Sequence, residues 1–401
     1  MTSPRDLDIV LFGATGFTGG LVAGYLAEHA PEGLRWALAG RSLARLETVR
    51  DGLDSPGVEL LQADVHDSAS LAALAARARV VITTVGPYLE YGEPLVKACA
   101  EAGTDYVDLT GEPEFVDRMF VMYDATARAN GARIVHACGF DSIPHDLGAF
   151  FTVRELAAGG EITGPLTMKG VVRSNATFSG GTFHSALGQM SRPREMAAAS
   201  RERRALEERP KGRTSRPALA PFSWRSLGRD SELGYWLLPL PTIDPFIVAR
   251  SGRTLEAYGP AFTYSHFAGT KTLRYAVGGV VGVGALALAM QVPPLRAKLG
   301  DRVKQGTGPS EGRREKSWFT VDFVAESGGR KIHTKVSGGD PGYTETAKML
   351  AESALCLAFD TLPETAGSVT TAVAMGDALL DRLQAAGIRF EVIDASQVAV
   401  A

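Results

Sequence analysis

The fold is decided near the start of the chain by Ile9-Val10-Leu11-Phe12, then Gly13-Ala14-Thr15-Gly16-Phe17-Thr18-Gly19, then Leu21-Val22-Ala23-Gly24-Tyr25-Leu26. This order predicts a buried strand, a glycine turn and the first turns of a helix. Such a turn brings backbone N–H groups close to a pyrophosphate, whose negative charge faces the positive helix N-terminus. We expect Gly13 to make the tight turn, Gly16 to allow the close backbone approach, and Gly19 to let the helix pack on the strand. The stretch therefore predicts dinucleotide binding and redox chemistry.

The second predicted strand, Arg35-Trp36-Ala37-Leu38-Ala39, ends at a position that distinguishes NAD from NADP. Enzymes that use NAD typically place Asp or Glu there to hold the ribose 2′-hydroxyl. This chain has Gly40-Arg41-Ser42 instead, with Arg45 one turn further on. A guanidinium binds a 2′-phosphate through two hydrogen bonds, whereas a carboxylate repels it. We therefore predict NADP as the cofactor; the alternative is that Arg41 is an ordinary solvated surface residue.

Predicted strands and helices alternate from about residue 7 to residue 140. This alternation predicts parallel strands with right-handed crossovers, which form a doubly wound α/β sheet of the Rossmann type. The carboxyl ends of the strands line the ligand crevice in such sheets. Asp64, after the third strand, is expected near the adenine or as a cap of the next helix. Val85, Gly86 and Pro87, after the fourth strand, are expected beside the nicotinamide half, where Gly86-Pro87 either forms a rigid turn or merely ends the strand.

The chain divides into three predicted parts. Residues 1–140 form the NADP-binding Rossmann domain, and residues 141–340 form a second α+β domain with a mixed or antiparallel sheet, for the substrate and for oligomerisation. Residues 341–401 supply C-terminal helices, predicted over 343–359 and 368–386, that pack back on the Rossmann domain. The second domain includes a predicted hairpin, Trp318–Ala325 with Lys331–Ser337, whose exposed edge is a candidate contact for a homodimer.

The bulk composition limits the classes of function. The 401 residues carry a net charge of −3, from 42 basic and 45 acidic side chains, so nucleic acid is not an expected partner. The three cysteines have no metal-ligand spacing and form no disulfide framework, so no metal site is predicted and a cytoplasmic location is favoured. The first residues lack the apolar core of a signal peptide. A basic loop over 207–230 is either solvated surface or an attraction site for an acidic carrier protein.

An uncharged, glycine-containing segment covers the sixteen residues from Tyr275 to Met290. That length falls short of a typical membrane span. One interpretation is a buried core helix. The other is an exposed apolar helix that contacts a lipid chain or the inner face of the plasma membrane, and the flanking Arg274, Arg296 and Lys298 would suit anionic headgroups.

Several stretches carry a family resemblance: GATGFTG (13–19), LAGRS (38–42), VGPY (85–88), TDYVDLTGE (104–112), CGFDSIPHDLG (138–148), GYTETAKMLAESALCLA (342–358) and GSVTTAVAMGDALLDRL (367–383). Together they resemble the saccharopine dehydrogenase-like oxidoreductases, and most closely the actinobacterial trans-acting enoyl reductases. The resemblance implies an NADP-binding Rossmann domain and an α/β domain that covers the cofactor. It also implies reduction of a double bond in a polyketide-type or fatty acyl chain held on a carrier protein, in lipid biosynthesis.

Reduction of an enoyl thioester needs a hydride from the nicotinamide, hydrogen-bond donors for the thioester oxygen and a proton for the α-carbon. Tyr88 and His145 are the leading catalytic candidates, followed by His184 and Tyr343. Tyr88 follows the fourth strand at the expected nicotinamide edge, and its alternative role is to pack against a ring.

His145 has acidic neighbours in sequence, Asp141 and Asp146, and a carboxylate can orient an imidazole. In the alternative interpretation, Asp141 caps a helix that begins near Pro144. Two other functions stay open: a saccharopine dehydrogenase-like enzyme acting on an amino-acid-type substrate, and a non-catalytic, lipid-associated scaffold that retains the nucleotide-binding fold.

Overall fold

The computed structural model describes residues 5–53, 55, 57–176, 191–208, 210–217, 229–275, 277–279, 282, 285 and 309–397. The strands are β1 (Leu7–Phe12), β2 (Trp36–Gly40), β3 (Glu59–Gln62), β4 (Ala78–Thr83), β5 (Asp105–Asp108), β6 (Arg133–Val135), β7 (Pro165–Ser174), β8 (Thr214–Pro217), β9 (Trp236–Pro239), β10 (Ala261–Thr270), β11 (Phe319–Ser327), β12 (Arg330–Gly338), β13 (Gly367–Val369) and β14 (Arg389–Gln397). The helices are α1 (Phe17–His29), α2 (Leu43–Asp51), α3 (Ser68–Arg77), α4 (Tyr88–Tyr91), α5 (Glu93–Ala102), α6 (Pro113–Asn130), α7 (Ile143–Ala158), α8 (Pro193–Leu206), α9 (Asp244–Thr254), α10 (Glu311–Arg314), α11 (Thr344–Phe359), α12 (Thr371–Ala374) and α13 (Gly376–Ala385), with a 3-10 turn over Glu256–Tyr258.

The first sheet has seven strands in the order β13-β6-β5-β4-β1-β2-β3, and every pairing within it is parallel. Strand β1, inside this sheet, is buried along its whole length, as expected for a strand covered by helices on both faces. The strand order reverses between β1 and β4, which is the point where doubly wound sheets bind their ligands. The predicted doubly wound Rossmann sheet is confirmed.

The second sheet has the order β14-β12-β11-β7-β10-β8, with β9 paired to β10. It is mixed, because β7 and β8 run parallel to β10 while the hairpin β11–β12 is antiparallel. The predicted second α+β domain and its hairpin are therefore confirmed. The prediction that the hairpin offers a free edge is wrong, since β14 pairs along β12 and becomes the edge strand itself.

Helix α7 follows the first sheet and packs on β11 and β12 of the second. The approach is close: a Cβ at Gly148 would lie 2.4 Å from Cε2 of Phe323. The C-terminal residues then return to the first sheet, where α11 packs on α1, β4 and β5. The predicted helix from Ser368 is wrong at its start, because Gly367 to Val369 form β13 and join β6. The three-part division of the chain stays a prediction.

No helix within the described ranges combines the length and the apolar character that crossing a bilayer requires. Most of the predicted apolar segment 275–290 lies outside the described residues, as do His184 and residues 218–228 of the predicted basic loop. Tyr275, at the start of the apolar segment, is 62% exposed.

Candidate functional site

The glycine turn sits directly after β1 and is packed tightly. Gly13 has a φ of +96°, and a Cβ there would lie 2.7 Å from Oγ1 of Thr84 and 2.8 Å from Cγ2 of Val85. A Cβ at Gly19 would lie 2.2 Å from the carbonyl oxygen of Gly13. Any other residue at either position would displace the turn from β4 or push α1 away from β1. Sterics therefore account for glycine at both positions.

The N-terminus of α1 is left open toward the crevice. Gly16 is the N-cap, no side chain caps the helix, and its first turn contains no acidic residue. A Cβ at Gly16 would meet the protein only at 3.4 Å from the carbonyl oxygen of Gly13. Free N–H groups and a positive helix end are the features that bind a pyrophosphate. The turn therefore fits a dinucleotide.

The predicted 2′-phosphate residues meet beside this turn. Arg41 is exposed at the end of β2, and its carbonyl oxygen accepts a hydrogen bond from Nε2 of Gln62 at 3.0 Å. Ser42 is the N-cap of α2 and accepts from the backbone N–H of Arg45 at 3.4 Å. Arg45 then reaches across and donates from Nη2 to the carbonyl oxygen of Thr15 at 3.3 Å. Arg45 therefore contacts the glycine turn, and the binding of a 2′-phosphate by Arg41 and Arg45 stays a prediction.

Asp64 follows β3 at the same edge of the sheet. Its carboxylate accepts a hydrogen bond from the backbone N–H of His66 at 3.0 Å. Asp67, not Asp64, caps α3 by accepting from Ala69 and Ser70. The alternative that Asp64 caps this helix is therefore wrong, and its placement near an adenine stays a prediction.

The loop after β4 reaches the other side of the crevice. The Gly86–Pro87 peptide is cis, and Pro87 precedes α4. The Tyr88 hydroxyl is buried; it donates to the carbonyl oxygen of Thr83 at 3.1 Å and accepts from the backbone N–H of Leu109 at 3.4 Å. Burial and the charge of Asp108 raise the pKa of Tyr88 well above its usual value. A hydroxyl held between two backbone groups favours a structural role, and the catalytic assignment of Tyr88 stays a prediction.

The segment after β6 carries a half-buried carboxyl, that of Asp141. Its Oδ2 lies 3.2 Å from where a Cβ of Gly111 would be, so it faces the loop that follows β5. The predicted cap is wrong: Ser142 is the N-cap of α7, and no side chain caps that helix. Burial and the nearby Asp244 carboxylate raise the pKa of Asp141 to about 7, although the charge of His145 opposes them.

His145, on the first turn of α7 after Asp141, is buried in an ionic cluster. Its Nδ1 lies 3.0 Å from Oδ1 of Asp244, and Nε2 of His266 lies 3.5 Å from Oδ2 of the same carboxylate. The Tyr264 hydroxyl lies 3.2 Å from Nδ1 of His266. We call His145, Asp244, His266 and Tyr264 the buried cluster.

Protonation differs sharply between the two imidazoles. Burial lowers the pKa of His266 to about 3, so this ring is neutral. Burial also disfavours the charged form of His145, but the Asp244 carboxylate outweighs it and raises the pKa of His145. Conversely, His145 holds the pKa of Asp244 below its usual range despite burial. The charged form of the pair, an imidazolium with a carboxylate, is therefore favoured.

His145, Asp244 and His266 also place one potential metal ligand each within 4.8 Å of one another, a group that the sequence did not predict. Asp244 lies on α9 and His266 on β10, far from His145 in the chain, and no local spacing links the three residues. Tyr343, the remaining predicted donor within the described ranges, packs its ring edge-on against Phe17 with 4.9 Å between centroids.

Comparison with known proteins gives matches to a family model and to individual relatives. Residues 9–135 match the family model described as the saccharopine dehydrogenase NADP binding domain. A Mycobacterium tuberculosis protein whose name carries the words "trans-acting enoyl reductase" is 42% identical over 416 residues, which cover 97% of this chain and 98% of that protein. A Mycobacterium bovis trans-acting enoyl reductase is 40% identical over 414 residues, covering 96% of this chain and 97% of that protein. The chain belongs to the trans-acting enoyl reductase family.

The fold of this trans-acting enoyl reductase family member also has a counterpart among solved structures. Apo saccharopine dehydrogenase (L-Glu forming) from Saccharomyces cerevisiae superposes with a TM-score of 0.56, covering 97% of this chain and 100% of that chain. The two sequences are 14% identical, so the likeness concerns the fold alone. The match of residues 9–135 indicates that the protein uses NADP, as the oxidoreductases of this family do.

Proposed function

We propose that the protein reduces the carbon–carbon double bond of an enoyl thioester with NADPH. Family membership over almost the whole chain is the observation that carries the proposal. The open N-terminus of α1 and the position of Arg41 support it independently of the comparisons, because they suit a phosphorylated dinucleotide.

Bound NADPH supplies the hydride, and the protein's own residues position and protect the reaction. The turn from Gly13 to Gly19 holds the pyrophosphate through backbone N–H groups. Arg41, Ser42 and Arg45 hold the 2′-phosphate. The loop Val85–Pro87 and the half-buried Asp141 border the nicotinamide half of the crevice. Addition of hydride to the β-carbon leaves negative charge on the α-carbon and thioester oxygen, which a proton from the enzyme must neutralise.

The proposed substrate is a polyketide-type or fatty acyl chain bound to a carrier protein, used in lipid biosynthesis. The names of the relatives support an enoyl substrate, and the acyl chain and its carrier protein are the further part of this proposal. Two further contacts are part of this proposal: a lipid or membrane contact through residues 275–290, and a homodimer paired along the edge strand β14, where Val392 and Ile393 are 44% and 47% exposed.

The test is turnover by the purified protein with enoyl thioesters of increasing chain length, presented on coenzyme A and on an acyl carrier protein. We expect NADPH oxidation that depends on the enoyl substrate, with formation of the saturated thioester. Saccharopine and pairs of amino acids with 2-oxo acids serve as control substrates. Turnover of these controls, with none of the enoyl thioesters, would contradict the proposal.

A further inference from the structure

We propose that the Asp141 carboxyl delivers the proton to the substrate α-carbon. This inference rests on the proposed function and names the acid that the reaction requires. Neither Asp141 nor Asp244 was among the predicted catalytic residues.

The position of Asp141 follows from the order of loops along the carboxyl edge of the first sheet. The glycine turn after β1 contacts Thr84 and Val85 after β4. The loop after β4 is tied to the next one, because Glu112 accepts hydrogen bonds from the backbone N–H groups of Tyr88 and Leu89. That next loop contains Gly111, which faces Asp141. Since the 2′-phosphate residues lie on the β2 side, Asp141 lies on the side of the sheet that receives the nicotinamide half.

The backbone on both sides of Asp141 is held firmly. Ala137 has a φ of +61°, and its N–H donates to the Asp108 carboxylate at 2.9 Å. The N–H of Phe140 donates to Oγ1 of Thr346 at 3.1 Å, and the N–H of Ser142 donates to the carbonyl oxygen of Ala137 at 2.9 Å. Residues held in sparsely populated conformations by such contacts cluster at active sites. The backbone that carries this carboxyl is therefore fixed, as the site of a proton donor needs.

The charge of His145 is held beside Asp244. Its Nδ1 lies 3.0 Å from Oδ1 of that carboxylate. The other oxygen of Asp244 lies 3.5 Å from Nε2 of His266 and accepts a hydrogen bond from the Thr242 hydroxyl. Asp244 thus orients the imidazole and stabilises its charged form.

The groups facing Asp141 set its protonation state. They are the His145 imidazolium on α7 and the Asp244 carboxylate on α9, with neutral His266 of β10 beyond them. Because the pKa of Asp141 is about 7, a large share of the molecules hold this carboxyl protonated at neutral pH. An acid with a pKa near the working pH is the most effective donor.

The step balances as follows. Hydride forms the new C–H bond at the β-carbon, and the π electrons move to the α-carbon and thioester oxygen. The O–H bond of Asp141 breaks as the C–H bond at the α-carbon forms, which leaves a carboxylate. Water then supplies the proton that restores the half-buried carboxyl. NADPH is oxidised and the acyl chain is reduced.

The decisive variant is Asp141→Asn, compared with Asp67→Asn, which alters an exposed helix cap where Asn serves equally well. We expect Asp141→Asn to lower kcat by about 100-fold or more and to leave the Kd for NADPH within about twofold. Asp67→Asn should behave as wild type.

A second readout uses the protein without cofactor. Infrared difference spectra of wild type against Asp141→Asn near pH 6 should contain the C=O band of a protonated carboxyl, and this band should titrate near neutral pH. Full activity of Asp141→Asn, or absence of the band, would overturn the assignment of Asp141. A wild-type protein that reduces no enoyl thioester would instead overturn the proposed function itself.

Discussion

The three glycines of the turn differ in what surrounds them. Gly13 and Gly19 are required by contacts within the protein, whereas Gly16 has room for a methyl group and faces the crevice. The first two positions therefore concern folding. Gly16 concerns the ligand, because only a bound pyrophosphate needs the space beside it.

Gly16→Ala should weaken NADPH binding while leaving the free energy of unfolding nearly unchanged. The added methyl group obstructs the approach of the pyrophosphate to the backbone, and we expect the Kd to rise by at least about tenfold, or 1.4 kcal/mol. Gly20→Ala is the matched control, because a Cβ there meets only the Ala14 carbonyl oxygen at 3.9 Å. Calorimetric titration measures both; equal affinities for the two variants would argue against a pyrophosphate at this turn.

Arg41→Ala should remove most of the preference for NADPH over NADH. Charge-assisted hydrogen bonds to a phosphate contribute about 1.5–3 kcal/mol, so NADPH affinity should fall on the order of ten- to a hundredfold while NADH affinity changes little. Arg41→Lys should fall between the two, since it keeps the charge and loses the two-pronged hydrogen bonding. Competition binding with both nucleotides provides the measurement, and an unchanged ratio would assign Arg41 to the solvated surface.

The buried cluster depends on contacts that could not be predicted from the sequence. His145 attracted attention because of its acidic neighbours in the chain, yet its ionic partner is Asp244 on another helix. Asp141 looked like a helix cap, whereas the structure turns its carboxyl toward Gly111. Both results depend on contacts between distant segments, which residue spacing does not encode.

Among the elements, α7 connects the two sheets through an unusually close helix–sheet contact. Gly148 is the point of contact with Phe323, and Val336 lies 2.9 Å from the position a Cβ would take. Gly148→Ala should therefore destabilise the fold by about 1–3 kcal/mol through overpacking. Gly24→Ala in α1 is the control, since nothing lies within 4 Å, and it should stabilise by roughly 0.5–1 kcal/mol. Unfolding in urea measures the free energy of unfolding of both variants. Equal changes in the two variants would contradict overpacking at Gly148.

Element types in the first sheet were predictable because parallel strands covered by helices are apolar throughout and alternate with amphipathic helices. The hairpin β11–β12 was predictable from two strand-like runs around Ser327-Gly328-Gly329-Arg330. Strand β13 was not, because three residues are too few to set a period, and the run after them resembles a helix. Its identity comes from pairing with β6, a contact across the fold.

Over the whole molecule, Asp141 should make stability depend on pH. Its pKa rises from 3.8 in the unfolded chain to about 7 in the fold, so the folded state binds the proton more tightly. Stability then falls as the pH rises from about 4 to about 7, and is flat beyond that range for this group. The Asp141→Asn variant has no carboxyl at this position, so its stability does not fall with pH for this reason.

Unfolding in urea at about pH 5 and at about pH 8 measures the effect. Relative to wild type, Asp141→Asn should be more stable at the higher pH than at the lower one. Asp244 contributes in the opposite sense, since its lowered pKa favours folding above about pH 4, and this contribution changes little between about pH 5 and about pH 8. A difference between the two proteins that does not vary with pH would contradict the raised pKa.

The last described strands of the chain also constrain when the two sheets can be completed during synthesis. Strand β13 completes one sheet and β14 completes the other, so a ribosome that has translated as far as residue 366 has finished neither. Until synthesis is nearly over, β6 and β12 each have an unpaired edge. The surfaces that α11 covers in the finished fold are uncovered until α11 has been made. Neither sheet is therefore complete before its last strand has been translated.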